Sequence, residues 1–306
     1  MTSIVAPGAQ GCVGIMGGLG FENGIDWLDD AHKVSLVTPF GPPSDEYLVG
    51  TYQGIKVVFL NRHASGHRIL PHEINNRANI WGFHRLGTTW LLSNSAVGSL
   101  RAEIKPSQLV VPGQFFDRTT GRISTFFGGG VVGHIQFGDP VCFDLSGLVT
   151  SEAKLIMGEG KVHGLDADGH EPTLVVINGP AFSTKAESRL YRQWGMDVVG
   201  MTTLPESKLA REAGICYVSL GWSTDYDSWK EDEEQVSVEV VGRVINQNVG
   251  NAMTIFKRMI TLLGSIQTRS CSCHGAGRRA IQTQADCLPQ LKEGETHPLD
   301  FILRQR

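Results

Sequence analysis

Two carboxylates stand two residues apart in the run Thr224, Asp225, Tyr226 and Asp227. Alternate residues of a strand share a face, so a strand continuing through this run would present Asp225 and Asp227 together. One carboxylic acid that keeps its proton can assist a nitrogen heterocycle leaving a sugar, because negative charge builds on the departing ring. A second carboxylate can accept from an exocyclic amino group. Burial and a neighbouring carboxylate both favour keeping the proton. The same four residues also suit a solvated turn or a magnesium-binding pair.

A second constellation has the character of an anion cage. Arg62 and His63 follow an apolar run at 56–60, Ser95 and Ala96 follow another at 90–93, and Thr202 and Thr203 follow a third at 198–201. A planar guanidinium and an imidazole can hold two phosphate oxygens, and hydroxyls with free N–H groups complete a tetrahedral cradle. The loop Gly14, Ile15, Met16, Gly17, Gly18, Leu19 and Gly20 adds backbone N–H groups after a further apolar strand. It is not a dinucleotide fingerprint, since Asn23 occupies the place of the third glycine, and no Lys-Ser or Lys-Thr makes it a P-loop. A tight turn alone would also use these glycines.

The elements that must position these groups are short, β-branched runs at 13–16, 56–60, 90–93, 109–111, 174–177, 198–201 and 215–220, several separated by helical patterns. Near-continuous apolar strands alternating with amphipathic helices predict one α/β domain, a central mixed β-sheet flanked by helices. Ligands in such sheets bind where strands give way to loops, which is where the residues above fall. A long helix is predicted from about 236 to 263, with Val241, Val244, Ile245, Val249, Ala252, Phe256, Met259 and Leu263 at helical spacing. The acidic run at 230–234 suits its start. The domain is expected over 1–283, with 284–306 an irregular tail containing Pro289 and Pro298.

With 306 residues, 41% apolar and 19% charged, the chain can bury a substantial core. A formal charge of −4 and a pI near 6.2 leave no global basic field for nucleic acid. No apolar run is long enough for a bilayer, and the first residues lack the pattern of a secretion signal, so cytoplasmic residence is expected, with the nucleus also open. Cys12, Cys142 and Cys216 read as core thiols, while Cys271, Cys273 and Cys287 lie in the final segment. The spacing of Cys271, Ser272, Cys273 and His274 lacks the two-residue gap and second cysteine pair of a structural zinc site, so a thiol or redox pair is preferred and no metal is expected.

Taken in order, the segments 14–20, 38–44, 62–63, 79–81, 95–100, 114–120, 179–183, 186–188, 201–206, 213–217 and 224–231 closely resemble the methylthioadenosine phosphorylases, collinearly from about 12 to 265. The resemblance implies the trimeric branch of the purine nucleoside phosphorylases. Arg62, His63, Ser95 and Thr202 then resemble the phosphate cage, beside Gly18, Leu19 and the Ala96 amide. Phe182 resembles the aromatic residue packing on the purine, Ser183 a base-edge contact, and Asp225 and Asp227 the pair reading N7 and the 6-amino group. Met201 is similar to the residue along the ribose. Val238 and Val241 match the apolar lining of the methylthio pocket, with His67 near it, and His134 resembles a histidine given by a neighbouring subunit. Asp225, Asp227 and His63 are the catalytic candidates. The implied reaction takes a small nucleoside and inorganic phosphate, with no metal or organic cofactor, in a homotrimer.

Departures from the family pattern carry their own expectations. Leu19 replaces a Ser or Thr, removing one side-chain donor to phosphate; Asn178 and Ala181 replace a Glu and an Arg; Ser95 replaces a Thr but remains a hydroxyl. They predict a weaker phosphorylase or a shifted substrate range. Phosphorolysis of adenosine or inosine, and a nucleosidase that uses water, stay as alternatives, with a silent nucleoside-binding trimer behind them.

Overall fold

Alternation along the apolar strands divides the interior into two layers. The computed structural model describes residues 11–18, 20–21, 25–165, 169–230, 232, 236–266, 268–288 and 297–304. In β1 (Cys12–Gly17), Val13 and Ile15 join one core while Cys12 and Met16 join the other. The edge side of the sheet is built from β2 (Asp29–Val34), β3 (Tyr47–Tyr52) and β4 (Ile55–Asn61), and β4 obeys the same division, with Val57 and Phe59 opposite Val58 and Leu60. Period-two side chains on a sheet covered on both faces give this result.

Each layer is closed by helices. Helix α1 (Asn76–Arg85) places Ile80 and Phe83 in the second core. After it come β5 (Thr88–Ser99), β6 (Leu109–Val110) and β7 (Gln114–Asp117), then α2 (Phe143–Met157), whose Leu145, Val149 and Ala153 enter the first core. Next are β8 (Val162–His163), β9 (Thr173–Val176), α3 (Lys185–Gln193), β10 (Val198–Gly200), α4 (Thr203–Glu212) and β11 (Cys216–Asp225). Helix α5 (Val238–Gly264) is the long helix predicted at 236–263. Ser237 caps it by accepting from the Val240 amide, and Ile245, Ala252, Phe256, Met259 and Leu263 fill the first core. Short helices α6 (Ala276–Arg279) and α7 (Asp300–Leu303) follow.

The strands form one mixed sheet in the order β2-β3-β4-β1-β5-β10-β9-β7, with β11 added on β5 and carrying β6 and then β8. Strand β5 is the hub: β1 runs parallel to it over its first half, β11 runs parallel to it from Trp90 to Gly98, and β10 meets it antiparallel at Gly98 and Ser99. The described part of the expected tail is not detached, since Leu299 and Ile302 are buried in the second core.

Candidate active site

The anion-cage residues converge where β1, β4 and β5 end. The Gly17 carbonyl accepts from the Arg62 amide at 3.0 Å, which ties the end of β4 to that of β1. Gly18 lies so close to β5 that a Cβ there would stand 2.8 Å from the Asn94 carbonyl oxygen and 3.3 Å from Arg62 Nη1, so only glycine fits without a shift. Leu19 lies outside the described residues.

Arg62 departs from the expectation that its fork is free to grip two phosphate oxygens. It is 1% exposed, and its Nε and Nη2 donate to the two oxygens of Glu206, itself fully buried, at 2.9 and 3.2 Å. Nη2 also donates to Ser93 Oγ at 2.6 Å, and Nη1 donates to the Asn94 carbonyl at 2.9 Å. Among the described residues four of the five N–H groups of the guanidinium are thereby engaged, leaving one on Nη1, the atom facing Gly18. The reason is the cost of burial: a charge out of water needs a partner, and Glu206 supplies it. Ser93 and Tyr217 complete the clamp by donating to Glu206 Oε1 at 2.5 and 2.8 Å.

His63 is neutral in this setting. Burial first, then the adjacent Arg62 charge, push it down to about 4. Its Nδ1 donates to the Ile69 carbonyl at 2.8 Å, which leaves Nε2 with a bare lone pair. His67 stacks on it with ring centroids 4.4 Å apart, so the contact the structure gives His67 is at this end of the site. The Ser95 hydroxyl is buried with no hydrogen-bond partner among the described residues. Thr202 is also buried and its side chain makes no capping bond at the start of α4. Leu204 leaves helical geometry at φ −111°, ψ 136°, so Thr202 offers its hydroxyl rather than a regular helix N-terminus.

The carboxylates lie at the end of β11, the strand paired with β5. Gly221, Trp222 and Asp225 of β11 stand in register with Ser95, Ala96 and Gly98 of β5, and a Cβ on Gly98 would be 3.0 Å from Asp225 Oδ1. Three residue steps along the strand take Ser95 to Gly98, a span of about 10 Å. The expected shared strand face for Asp225 and Asp227 is corrected: β11 ends at Asp225, and Asp227 takes a left-handed backbone (φ 47°) that folds its amide back onto Asp225 Oδ1 at 2.7 Å. An Asp tolerates that conformation better than most residues. Thr224 Oγ1 donates to Asp225 Oδ2 at 2.7 Å.

Burial pushes Asp225 up to about 6, against the opposing pull of the Thr224 hydroxyl and the Asp227 amide. Asp227 is raised too, again by burial first. The Ser188 and Ser183 hydroxyls act on it in the opposite sense, yet neither they nor Asp227 Oδ2 reach hydrogen-bonding geometry with any described partner. Three orphaned polar groups at one spot form a site prepared for a polar ligand. A cavity of ≈ 200 Å³ reaches Thr224 and Asp225 from the α5 side, where Val240, Arg243 and Val244 line it.

The remaining candidates divide. Met201 packs under the Gly179 turn, where a Cβ would meet its sulfur at 2.6 Å, and Phe182 is exposed on the loop that turn begins. Val238, the first residue of α5, is 73% exposed, whereas Val241 is buried in the first core beside Ile245. The structure therefore gives Val241 a packing role, since its turn of α5 already faces the sheet. His134 is exposed on an irregular segment whose amide donates to the Ala280 carbonyl. Sequence reasoning missed Glu206, Ser93, Tyr217 and Arg122. Arg122 staples two site loops by donating to the Met201 and Leu204 carbonyls at 2.7 Å each and to the Asn178 carbonyl at 2.9 Å.

Residues 13–261 match the Phosphorylase superfamily. The chain is 47% identical over 283 residues to the S-methyl-5'-thioadenosine phosphorylase of Gloeobacter violaceus, and 45% identical over 283 residues to that of Koribacter versatilis, each alignment covering 92% of both proteins. Among solved structures, a methylthioadenosine phosphorylase from an Antarctic soil metagenomic library superposes with a TM-score of 0.82 at 37% identity, covering 91% of this chain and 95% of the other. The methylthioadenosine phosphorylase of Schistosoma mansoni in complex with adenine gives 0.77 at 35%, covering 84% and 93%.

Proposed function

The chain belongs to the phosphorylase superfamily, in its methylthioadenosine phosphorylase branch, and we infer from this premise that it cleaves 5'-methylthioadenosine with phosphate, yielding adenine and 5-methylthioribose 1-phosphate. The observation that carries the reading is the juxtaposition along β5: Ser95, whose buried hydroxyl has no partner among the described residues, stands about 10 Å along the strand from Gly98, the residue in register with a protonatable Asp225.

Phosphate binds among the Gly18 loop, the remaining Nη1 N–H of Arg62, Ser95, the Ala96 backbone and Thr202. Because Glu206 balances Arg62 and His63 is neutral, the cage orients phosphate without cancelling its charge. That charge attacks the anomeric carbon from one face and stabilises the oxocarbenium-like transition state as adenine leaves from the other. The bare Nε2 of His63 accepts from a protonated phosphate oxygen, turning the unprotonated oxygens toward the sugar. Asp225 gives its proton to N7, and Asp227 accepts from the 6-amino group, held near Ser183 and Ser188; Phe182 packs on the base and Met201 along the ribose. Val238 borders the methylthio group. The reaction needs phosphate as co-substrate and no metal or organic cofactor.

The homotrimer, with His134 reaching a neighbouring site, belongs to the same proposal. Ile123 and Val132, exposed on the segment that carries His134, favour cover by another copy. We place the enzyme in the cytoplasm, in methionine and purine salvage; no helix among the described residues is long and apolar enough to cross a membrane. A broader range that includes adenosine is the second reading, because one relative is described as an adenosine/methylthioadenosine phosphorylase. The test is incubation with methylthioadenosine, adenosine and inosine, each with and without phosphate, followed by identification of the sugar. Phosphorylated methylthioribose formed only with phosphate is expected; free methylthioribose at the same rate without phosphate would replace the phosphorylase with a nucleosidase.

A further inference from the structure

Far from the nucleoside site, the fold gathers four thiols that the sequence disperses. Cys142 stands immediately before α2, Cys216 opens β11, and Cys271 and Cys273 occupy the turn that follows α5. Their four Sγ atoms all lie within 4.8 Å of one another, with Cys216 and Cys271 3.3 Å apart. Cys142, Cys216 and Cys273 are buried and Cys271 is half-buried. From these positions we propose that Cys142, Cys216, Cys271 and Cys273 form a tetrathiolate site for one structural zinc ion.

The geometry fits that ion. Four sulfurs at the usual zinc–thiolate distance of about 2.3 Å stand about 3.8 Å apart at the corners of a tetrahedron. The observed cluster brackets that separation, and the 3.3 Å between Cys216 and Cys271 is well outside the roughly 2.05 Å of a disulfide. All four ligands are soft thiolates with no carboxylate or imidazole among them, which selects zinc over hard cations and describes a closed, non-catalytic site. Sequence spacing set metal aside because it sought a second cysteine pair along the chain. The second pair exists only in three dimensions, where the Cys142 amide donates to the Tyr217 carbonyl and so holds the start of α2 against the start of β11.

The surroundings supply what four thiolates and a dication require. Their net charge of −2 needs nearby cations, and Arg269 Nη1 stands 3.5 Å from Cys216 Sγ while donating to the Gly214 carbonyl at 3.0 Å. The N-terminus of α2 favours negative charge on Cys142. Ser270 pins the cysteine turn by donating to Asp144 Oδ2 at 2.9 Å. A cleft of ≈ 430 Å³, lined by Trp90, Cys142, Phe143, Leu263, Arg269 and Cys271, opens beside the cluster and gives an ion a route in. Bound there, zinc would join three parts of the chain at the end of β11 opposite Asp225, so its loss acts on stability before turnover.

The test uses the full-length protein produced without added chelator. Elemental analysis is expected to find about one zinc per chain, released in step with four thiols by an organomercurial. Replacing zinc by cobalt(II) is expected to give the intense visible bands of a tetrahedral tetrathiolate. The double substitution Cys271→Ser with Cys273→Ser, confined to a partly exposed turn, is expected to abolish both signals and lower the melting temperature. Wild-type protein with two internal disulfides by mass, or four free thiols that take up neither zinc nor cobalt at micromolar concentration, would overturn the proposal, whether or not the variant folds.

Discussion

Replacing Asp225 by Asn should make the protein less active and, in alkaline buffer, more stable. The isosteric amide keeps the local contacts: its oxygen accepts from the Asp227 amide, and its nitrogen donates to Thr224 Oγ1, whose proton turns to the Val97 carbonyl already 3.3 Å away. What disappears is the proton for the leaving base, worth about 10²- to 10⁴-fold in turnover. The stability effect follows from the raised pKa. Below about 3.8 the carboxyl is neutral in both folded and unfolded chains and costs nothing; as pH rises through about 6 the folded protein must ionise a buried group, and that stability is lost. The displacement from 3.8 to about 6 corresponds to about 3 kcal/mol at pH 8. Paired melts at pH 4.5 and pH 8, with turnover measured at saturating phosphate, test both halves. The variant should gain about 1 kcal/mol on the parent at pH 4.5 and about 3 kcal/mol at pH 8. Turnover within a few-fold of the parent, or a variant that loses stability equally at both pH values, would refute the assignment of Asp225 as a buried acid.

Three further outcomes are expected. Glu206→Ala strands the buried Arg62 charge and should cost about 3 to 5 kcal/mol in urea denaturation, with weaker saturation by phosphate. Leu19→Thr should lower the phosphate concentration needed for half-maximal rate; an unchanged value would remove any role of that side chain. His84, held down to about 4 by burial and then by Arg85, packs on Phe301 with centroids 5.0 Å apart. Its stabilising effect is full above about 6.5 and lost as pH falls toward 4, so His84→Leu should flatten the acid limb of the stability curve by at most about 3 kcal/mol.

The central strands were legible because burial on both faces writes an uninterrupted apolar run: β1, β4 and β5 contain their expected runs, and β9, β10 and β11 match theirs to within one residue at one end. Strand β2 carries Asp29, Asp30, His32 and Lys33 and is exposed almost throughout, so no periodicity marks it. Strand β3 had a usable signal: Gln53 and Gly54, both at positive φ, form the two-residue hairpin that returns it to β4. The site was readable in its strand-end polar residues, which stand where β-branched runs stop. Its supports were not, because Glu206 meets Arg62 across 144 positions of sequence and Arg122 reaches 178 and 201 through space.

Strand β5 acts as a ruler. Hydrogen-bonded on both sides, it fixes the pitch between the nucleophile's seat and the base's seat, so neither can drift without breaking the register of the whole sheet. Adaptation to a different nucleoside is then confined to the directions that the ruler does not set: the aromatic loop above the base and the exposed first turn of α5 beside the 5' substituent. Variation in substrate choice among related proteins should accumulate there, while the distance across which the glycosidic bond is exchanged stays constant.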